Sequence, residues 1–168
     1  MTAGMRSAVD FYERHPITAE IILARLEASR GHLNGLAPSE LFPHDQDHYG
    51  GLAANDALAQ RAGISEGTRV VDFCAGLGGP ARYFADRYGA EVIGIELTPA
   101  RVKGAEDLTR RVGLHDRVRV IGGNVMQVPL ADASADVVIS QEALLHVPDK
   151  ACALAEAWRI LKPGGRLV

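Results

Sequence analysis

The stretch Val70 to Arg82, VVDFCAGLGGPAR, constrains the fold of this chain more than any other. An apolar run closes on Asp72 and Phe73. Gly76, Gly78 and Gly79 follow, and Pro80 opens a segment with helical spacing. Glycine has no Cβ, so its backbone can turn sharply and approach a ligand closely. Proline suits the first helical position, where its missing N–H has no intrahelical partner anyway. A strand that passes through a glycine turn straight into a helix is half of a βαβ unit. In such sheets the ligand lies beyond the carboxyl ends of the strands. The turn therefore predicts both an architecture and the place of a site.

The rest of the chain agrees with an α/β body. Strands are predicted at 69–73, 91–96, 117–121 and 136–140, with a fifth beginning at 166–168. Helices are predicted at 80–88, 98–112 and 150–161. Thr98 reads as an N-cap with Pro99 just inside it. The Val- and Ile-rich strands alternating with helices imply a parallel sheet covered on both faces. Ahead of this body lies a front segment, residues 1–50. It carries helices at 7–15 and 18–30 and a loop from Leu36 to Gly51. A helix over 52–62, closed by Gly63, leads into the body, so the second unit is taken as 51–168.

Composition removes several classes. The 168 residues are 47% hydrophobic and 23% charged, enough for one core and unlike a disordered chain. A net charge of −3 argues against binding nucleic acid through its phosphates. No apolar run approaches the roughly 18 residues of a membrane helix. The first residues carry charges where a signal peptide needs an apolar stretch. Cys74 and Cys152 are too few for a disulfide framework. A cytoplasmic protein is expected, with no membrane and no nucleic-acid partner.

Two adenosine cofactors fit the glycine turn. Gly76-x-Gly78-x-x-Ala81 matches the dinucleotide fingerprint, and Glu96 ends the next strand twenty residues after Gly76, where a carboxylate takes ribose hydroxyls. NAD and S-adenosylmethionine share that need. Asp72 separates them. A pyrophosphate beside it meets like charge, whereas a sulfonium and an ammonium meet opposite charge. Pro80 also removes one of the helix-start N–H groups that a pyrophosphate uses. Both details favour S-adenosylmethionine. An NAD-dependent oxidoreductase is the alternative, and a non-catalytic cofactor-binding domain is a third reading.

Asp72-Phe-Cys-Ala-Gly76-Leu-Gly78-Gly79 resembles motif I of the class I S-adenosylmethionine-dependent methyltransferases. Its Gly79-Pro80-Ala81-Arg82 extension is similar to that of small-molecule members such as the sarcosine/dimethylglycine and phosphoethanolamine N-methyltransferases. Later stretches resemble further motifs in order. These are GIELTP, Gly122-Gly123-Asn124-Val125, DVVISQEALLHVPD and LKPGG. The chain departs from the pattern at Cys74, where the family has Gly, and at Asn124, where it has Asp.

The resemblance implies a Rossmann-like methyltransferase fold and transfer of a methyl to a small-molecule acceptor, an amine nitrogen by the nearest likeness. It implies cofactor contacts from Asp72, Ala75, Gly76, Gly78, Glu96, Leu97, Asn124, Val125 and Gln141. His146, just past the fourth strand, is the candidate general base, since imidazole titrates near neutrality. His48 and Tyr49 of the front loop, with His146, are candidate substrate contacts. His44 and His48 stand four apart, but Pro43 and the following glycines disfavour the helix that would make them a ligand pair, so no metal is expected. The family sheet has seven strands in the order 3-2-1-4-5-7-6, of which this chain supplies four and the start of a fifth. The expectation is a C-terminally incomplete domain, poorly stable and inactive alone, with a fifth-strand edge open to association.

Overall fold

The computed structural model describes residues 3–168. Five strands form one parallel sheet in the order β3-β2-β1-β4-β5. They are β1 (Arg69–Phe73), β2 (Glu91–Glu96), β3 (Val118–Gly122), β4 (Ala135–Ile139) and β5 (Leu161–Leu167). Helices α5 (Gly79–Tyr88), α6 (Pro99–Arg111) and α7 (Lys150–Ile160) make the crossovers. The predicted α/β architecture is therefore present, and the strand order is the first five places of the implied one. Val70 and Val92 face one side of the sheet with Ala81, Phe84 and Ala85. Val71, Ile95 and Val138 face the other with Ala153, Ala157 and Ile160. Buried Val and Ile on both faces explain why these strands read as continuous apolar runs.

The front segment is built from α1 (Ala3–Glu13), α2 (Ala19–Arg30) and a short α3 (Pro38–Leu41), and α4 (Gly51–Ala62) follows. Thr18 caps α2 by accepting from the Ile21 N–H, and Gly31 ends it in the left-handed region at φ 82°. Ile22, Leu26 and Leu41 are buried against Leu77, Leu108 and Val112 of the body. Each such side chain contributes about 1.5–3 kcal/mol of apolar burial. The front segment thus shares a core with the sheet domain. No helix among the described residues is long and apolar enough to cross a membrane.

Three local readings are corrected. The loop predicted at 36–51 contains α3, which starts at Pro38 and has the Glu40 carboxylate accepting the Ala37 N–H at 2.8 Å. Thr98 precedes α6 but its side chain makes no cap hydrogen bond; its own N–H is donated to Glu96 instead. β5 begins at Leu161, directly after α7, not at Arg166. Leu161 pairs with Ala135, the chain bulges through Pro163-Gly164-Gly165, and pairing resumes at Arg166 with Val137. Gly164 sits at φ 80°, so the bulge that looked like a helix stop is a kink inside the strand.

Candidate functional site

One cavity opens at the carboxyl ends of β1, β2 and β4. Its floor is Asp72, Cys74 to Leu77, Ile95 to Thr98, Gly123 to Met126 and Gln141. Its roof is α1, through Met5, Ala8, Val9 and Tyr12, with Asp45, Asp47 and His48 from the front loop. Of the predicted cofactor residues, Asp72, Ala75, Gly76, Glu96, Leu97, Asn124, Val125 and Gln141 are all brought together here.

Glu96 is fixed by the turn. Its Oε2 accepts the Gly76 N–H at 2.9 Å and its Oε1 accepts the Thr98 N–H at 2.8 Å. The turn itself needs glycine at this position, since Gly76 lies at φ 56° and a Cβ there would stand 2.9 Å from Arg101 Nη2. A carboxylate has about four lone-pair sites, so Glu96 retains capacity for two further donors. Asp72 is 4% exposed. Burial raises its pKa to about 8, and the nearby Glu96 charge adds to the rise. The expected anion is therefore held mostly protonated at neutral pH until a cation comes near it. Cys74 follows at φ 61°, a conformation that favours the family's glycine. Its thiol is pushed up to about 12, by burial first and then by Glu96 and Asp72, so it is no thiolate. It lines the cavity and also packs against the β1–β4 core. Asn124 Oδ1 accepts the Met126 N–H at 2.9 Å, which leaves its amide nitrogen and one lone pair toward the cavity.

Gly78 is the exception among the predicted contacts. It lies outside the cavity lining and serves as the N-cap of α5 at φ 75°, where a Cβ would meet Arg82 and Val120 at 3.2 Å. Gly79 is likewise required by the protein. A Cβ there would stand 2.0 Å from the Asp45 carbonyl oxygen. The front loop thus covers the start of α5, the place a pyrophosphate would occupy. That contact, with the N–H that Pro80 lacks, disfavours a pyrophosphate at this helix start.

The front loop is tied down by a buried ion pair. Arg82 Nη2 and Nε donate to Asp45 Oδ2 at 2.8 and 3.2 Å, and both side chains are fully buried. From Asp45 a chain of hydrogen bonds runs to the cavity. Gln46 Nε2 donates to Asp45 Oδ1, and Gln46 Oε1 faces His48 Nε2 at 3.1 Å. His48 Nδ1 lies 2.9 Å from Gln141 Nε2. His48 Nδ1 also lies 3.0 Å from the Tyr49 carbonyl oxygen; the Gln46 and Tyr49 oxygens can only accept, so a neutral imidazole donates to one of them in either tautomer. The two cavity residues therefore position each other. Tyr49 behaves otherwise. It is 86% exposed and lies outside the cavity lining, with its backbone N–H held by Glu142 and its carbonyl oxygen 3.0 Å from His48 Nδ1. His44 also lies outside, and the described residues hold no cluster suited to a metal. His146, in a 3-10 turn at Leu144–His146, lines the cavity beside Phe11 and Tyr12, with ring centroids 6.4 and 5.4 Å away. Its ring nitrogens have no hydrogen-bond partner among the described residues.

Sequence reasoning missed Arg82, Arg101, Asp45 and Tyr12. A signal existed for the arginines. Both stand in the first turn of a helix, where a cation opposes the helix dipole, so another interaction must hold them there.

The cavity suits an adenosyl sulfonium cofactor. Glu96 offers two open acceptor sites fixed in place by backbone N–H groups. Asp72 and the buried, unpartnered Gln141 Oε1 are acceptors that a cationic amine or sulfonium would satisfy. Comparison with known proteins agrees. Residues 71–168 match the family described as "Methyltransferase domain". The methyltransferase phqN of Penicillium fellutanum is 32% identical over 139 residues, 81% of this chain and 40% of that protein. The glycine/sarcosine/dimethylglycine N-methyltransferase of Actinopolyspora halophila is 36% identical over 111 residues, 66% of this chain and 20% of its own length. The chain therefore spans less than half the length of these relatives. The crystal structure of geranyl diphosphate C-methyltransferase from Streptomyces coelicolor A3(2), in complex with Mg2+, geranyl diphosphate and S-adenosyl-L-homocysteine, shares the fold. Its TM-score is 0.75 at 21% identity, covering 99% of this chain and 64% of that one. With more than half of the chain matched and the motif residues gathered at one strand-end cavity, the chain belongs to the methyltransferase-domain family, in the S-adenosylmethionine-dependent class that its motifs resemble.

Proposed function

We propose that the chain binds S-adenosylmethionine in this cavity and forms part of an enzyme that methylates the nitrogen of a small amine. The observation that carries the cofactor half is Glu96, locked by two backbone N–H groups at the end of β2 with its remaining lone pairs facing the cavity. In this reading Glu96 takes the ribose hydroxyls, and Leu97, Asn124 and Val125 flank the adenine. Asp72, Ala75, Gly76 and Gln141 hold the methionine end. The bound cofactor would supply an electrophilic methyl group. The chain's own task is then to position a nucleophile and exclude water, which is the part α1 plays as a roof. His146 has a free ring nitrogen at the cavity and is the base that takes a proton from an ammonium acceptor. The amine acceptor is supported by the likeness to the glycine/sarcosine/dimethylglycine enzyme.

Calorimetry with S-adenosylhomocysteine tests the cofactor half. Saturable binding is expected, and Glu96→Ala should weaken it by 10- to 100-fold, the equivalent of about 1.5–3 kcal/mol for charge-assisted hydrogen bonds. Unchanged affinity in that variant refutes the ribose assignment. A homocysteine-release screen against small amines, phenols and carboxylates tests the acceptor; turnover confined to the last two classes refutes the amine.

A further inference from the structure

Arg101 is the single permanent cation in a cavity whose described lining also presents Asp45, Asp47, Asp72, Glu96 and Glu142. It is 4% exposed. Its Nη2 donates to Asp47 Oδ2, and the Tyr12 ring lies 4.9 Å from its Cζ. Gly76 leaves the space in which the guanidinium rests. Arg101 Nε and Nη1 are buried and have no hydrogen-bond partner among the described residues. A guanidinium carries five N–H donors, so most of this one is unfilled. The ring of Tyr12 offsets part of that cost but offers no acceptor in the donor plane. An arginine buried for packing alone would be expected to reach backbone carbonyls, as Arg82 does with Ala105. Nη2 carries a second N–H that points away from the one given to Asp47, so one two-donor edge, shared with Nε or Nη1, stays open, and its geometry matches a carboxylate.

We propose that Arg101 is the carboxylate-binding residue of this cavity. The carboxylate comes either from the methionine end of the cofactor or from an amino-acid acceptor. Asp45 and Asp47 are committed to Arg82 and Arg101, which leaves Asp72, Glu96 and Glu142 of the described lining for the cationic groups of such ligands and Arg101 for their anionic group. The proposal rests on the cofactor reading given above.

The test uses two ligand pairs that differ by a carboxylate. S-adenosylhomocysteine is compared with S-adenosyl-3-thiopropylamine, which keeps the amine and lacks the carboxylate. Sarcosine is compared with dimethylamine on the chain saturated with S-adenosylhomocysteine. Affinities are read by calorimetry. The wild-type chain is expected to prefer the carboxylate member of at least one pair by 10-fold or more. Arg101→Met should abolish that preference, and Arg101→Lys should retain part of it, each with a melting transition like that of the wild type. Loss confined to the first pair assigns the carboxylate to the cofactor; loss confined to the second assigns it to the acceptor. A wild type with no preference in either pair overturns the proposal. So does a preference that survives intact in Arg101→Met. If neither adenosyl ligand binds the wild type, the cofactor reading fails and the proposal falls with it; loss of the preference alone leaves that reading standing.

Discussion

Asp45→Ala is the sharpest perturbation of this structure. The Asp45 carboxylate accepts two hydrogen bonds from Arg82, at 2.8 and 3.2 Å, and both side chains have no solvent exposure. Removing it leaves a guanidinium in the core with only Thr109 Oγ1 at 3.0 Å and the Ala105 carbonyl at 3.4 Å. Breaking one half of a buried ion pair costs about 3–5 kcal/mol, because the remaining charge is uncompensated. For a chain of this size each kcal/mol lowers the melting temperature by roughly 2–4 °C, so the loss should be on the order of 10 °C. Urea denaturation and thermal melting followed by circular dichroism both read it. The double variant Asp45→Leu with Arg82→Met removes the charge pair as a unit and should recover most of the loss. A single variant within about 1 kcal/mol of wild type would refute the reasoning, since it would mean that water or a rearranged front loop satisfies Arg82.

Two further predictions follow from the site. Asp72 has a folded pKa of about 8 against an ordinary value of 3.8, so its contribution to stability is full below about pH 3.8 and is lost as pH rises through 8. Asp72→Asn should therefore be more stable than wild type at pH 8, by at least about 1 kcal/mol, with the advantage shrinking on acidification; a pH-independent difference in melting temperature would contradict this. Gly79→Ala places a Cβ 2.0 Å from the Asp45 carbonyl oxygen and should cost at least about 2 kcal/mol, whereas Gly122→Ala meets nothing within 4 Å and should stay within about 0.5 kcal/mol. Equal denaturation midpoints for the two variants would show that the front loop does not press on α5.

The parts of the fold that are local in sequence were legible. Val70 to Phe73, the glycine turn and Pro80 signal strand, turn and helix within a dozen residues, and β1 and α5 follow. Glu96 was legible because its distance from Gly76 is set by one βα repeat. What could not be read was contact between remote segments. Asp45 and Arg82 are 37 residues apart, and nothing near either residue names the other. For the same reason Gly78 was taken for a ligand contact and Gly79 for open space beside a ligand. A glycine admits any close neighbour, and here the neighbours are an α5 cap and the Asp45 backbone. Tyr49 was assigned by its place in a polar loop, but the loop turns its side chain out to solvent while holding its N–H on Glu142. Cys74 both packs against the core and lines the cavity, in a left-handed conformation that a single residue type does not announce.

The Asp45–Arg82 clamp divides the molecule into a part that can be exchanged and a part that cannot. Among the contacts that seat residues 37–48 on the body, three are fixed by buried groups with little room to shift: the Arg82 guanidinium, the bare Cα of Gly79 and the pocket for Leu41. The α1 roof, in contrast, meets the cavity only through side chains such as Val9 and Tyr12. A chimaera that transplants another chain's front segment would dock only if it carried an acid at position 45 and a backbone path over Gly79. Redesign of α1 alone faces no such condition. Under the proposed function, α1 is thus the side of the cavity that can be exchanged without disturbing the Asp45–Arg82 clamp, provided that the aromatic ring on Arg101 is kept.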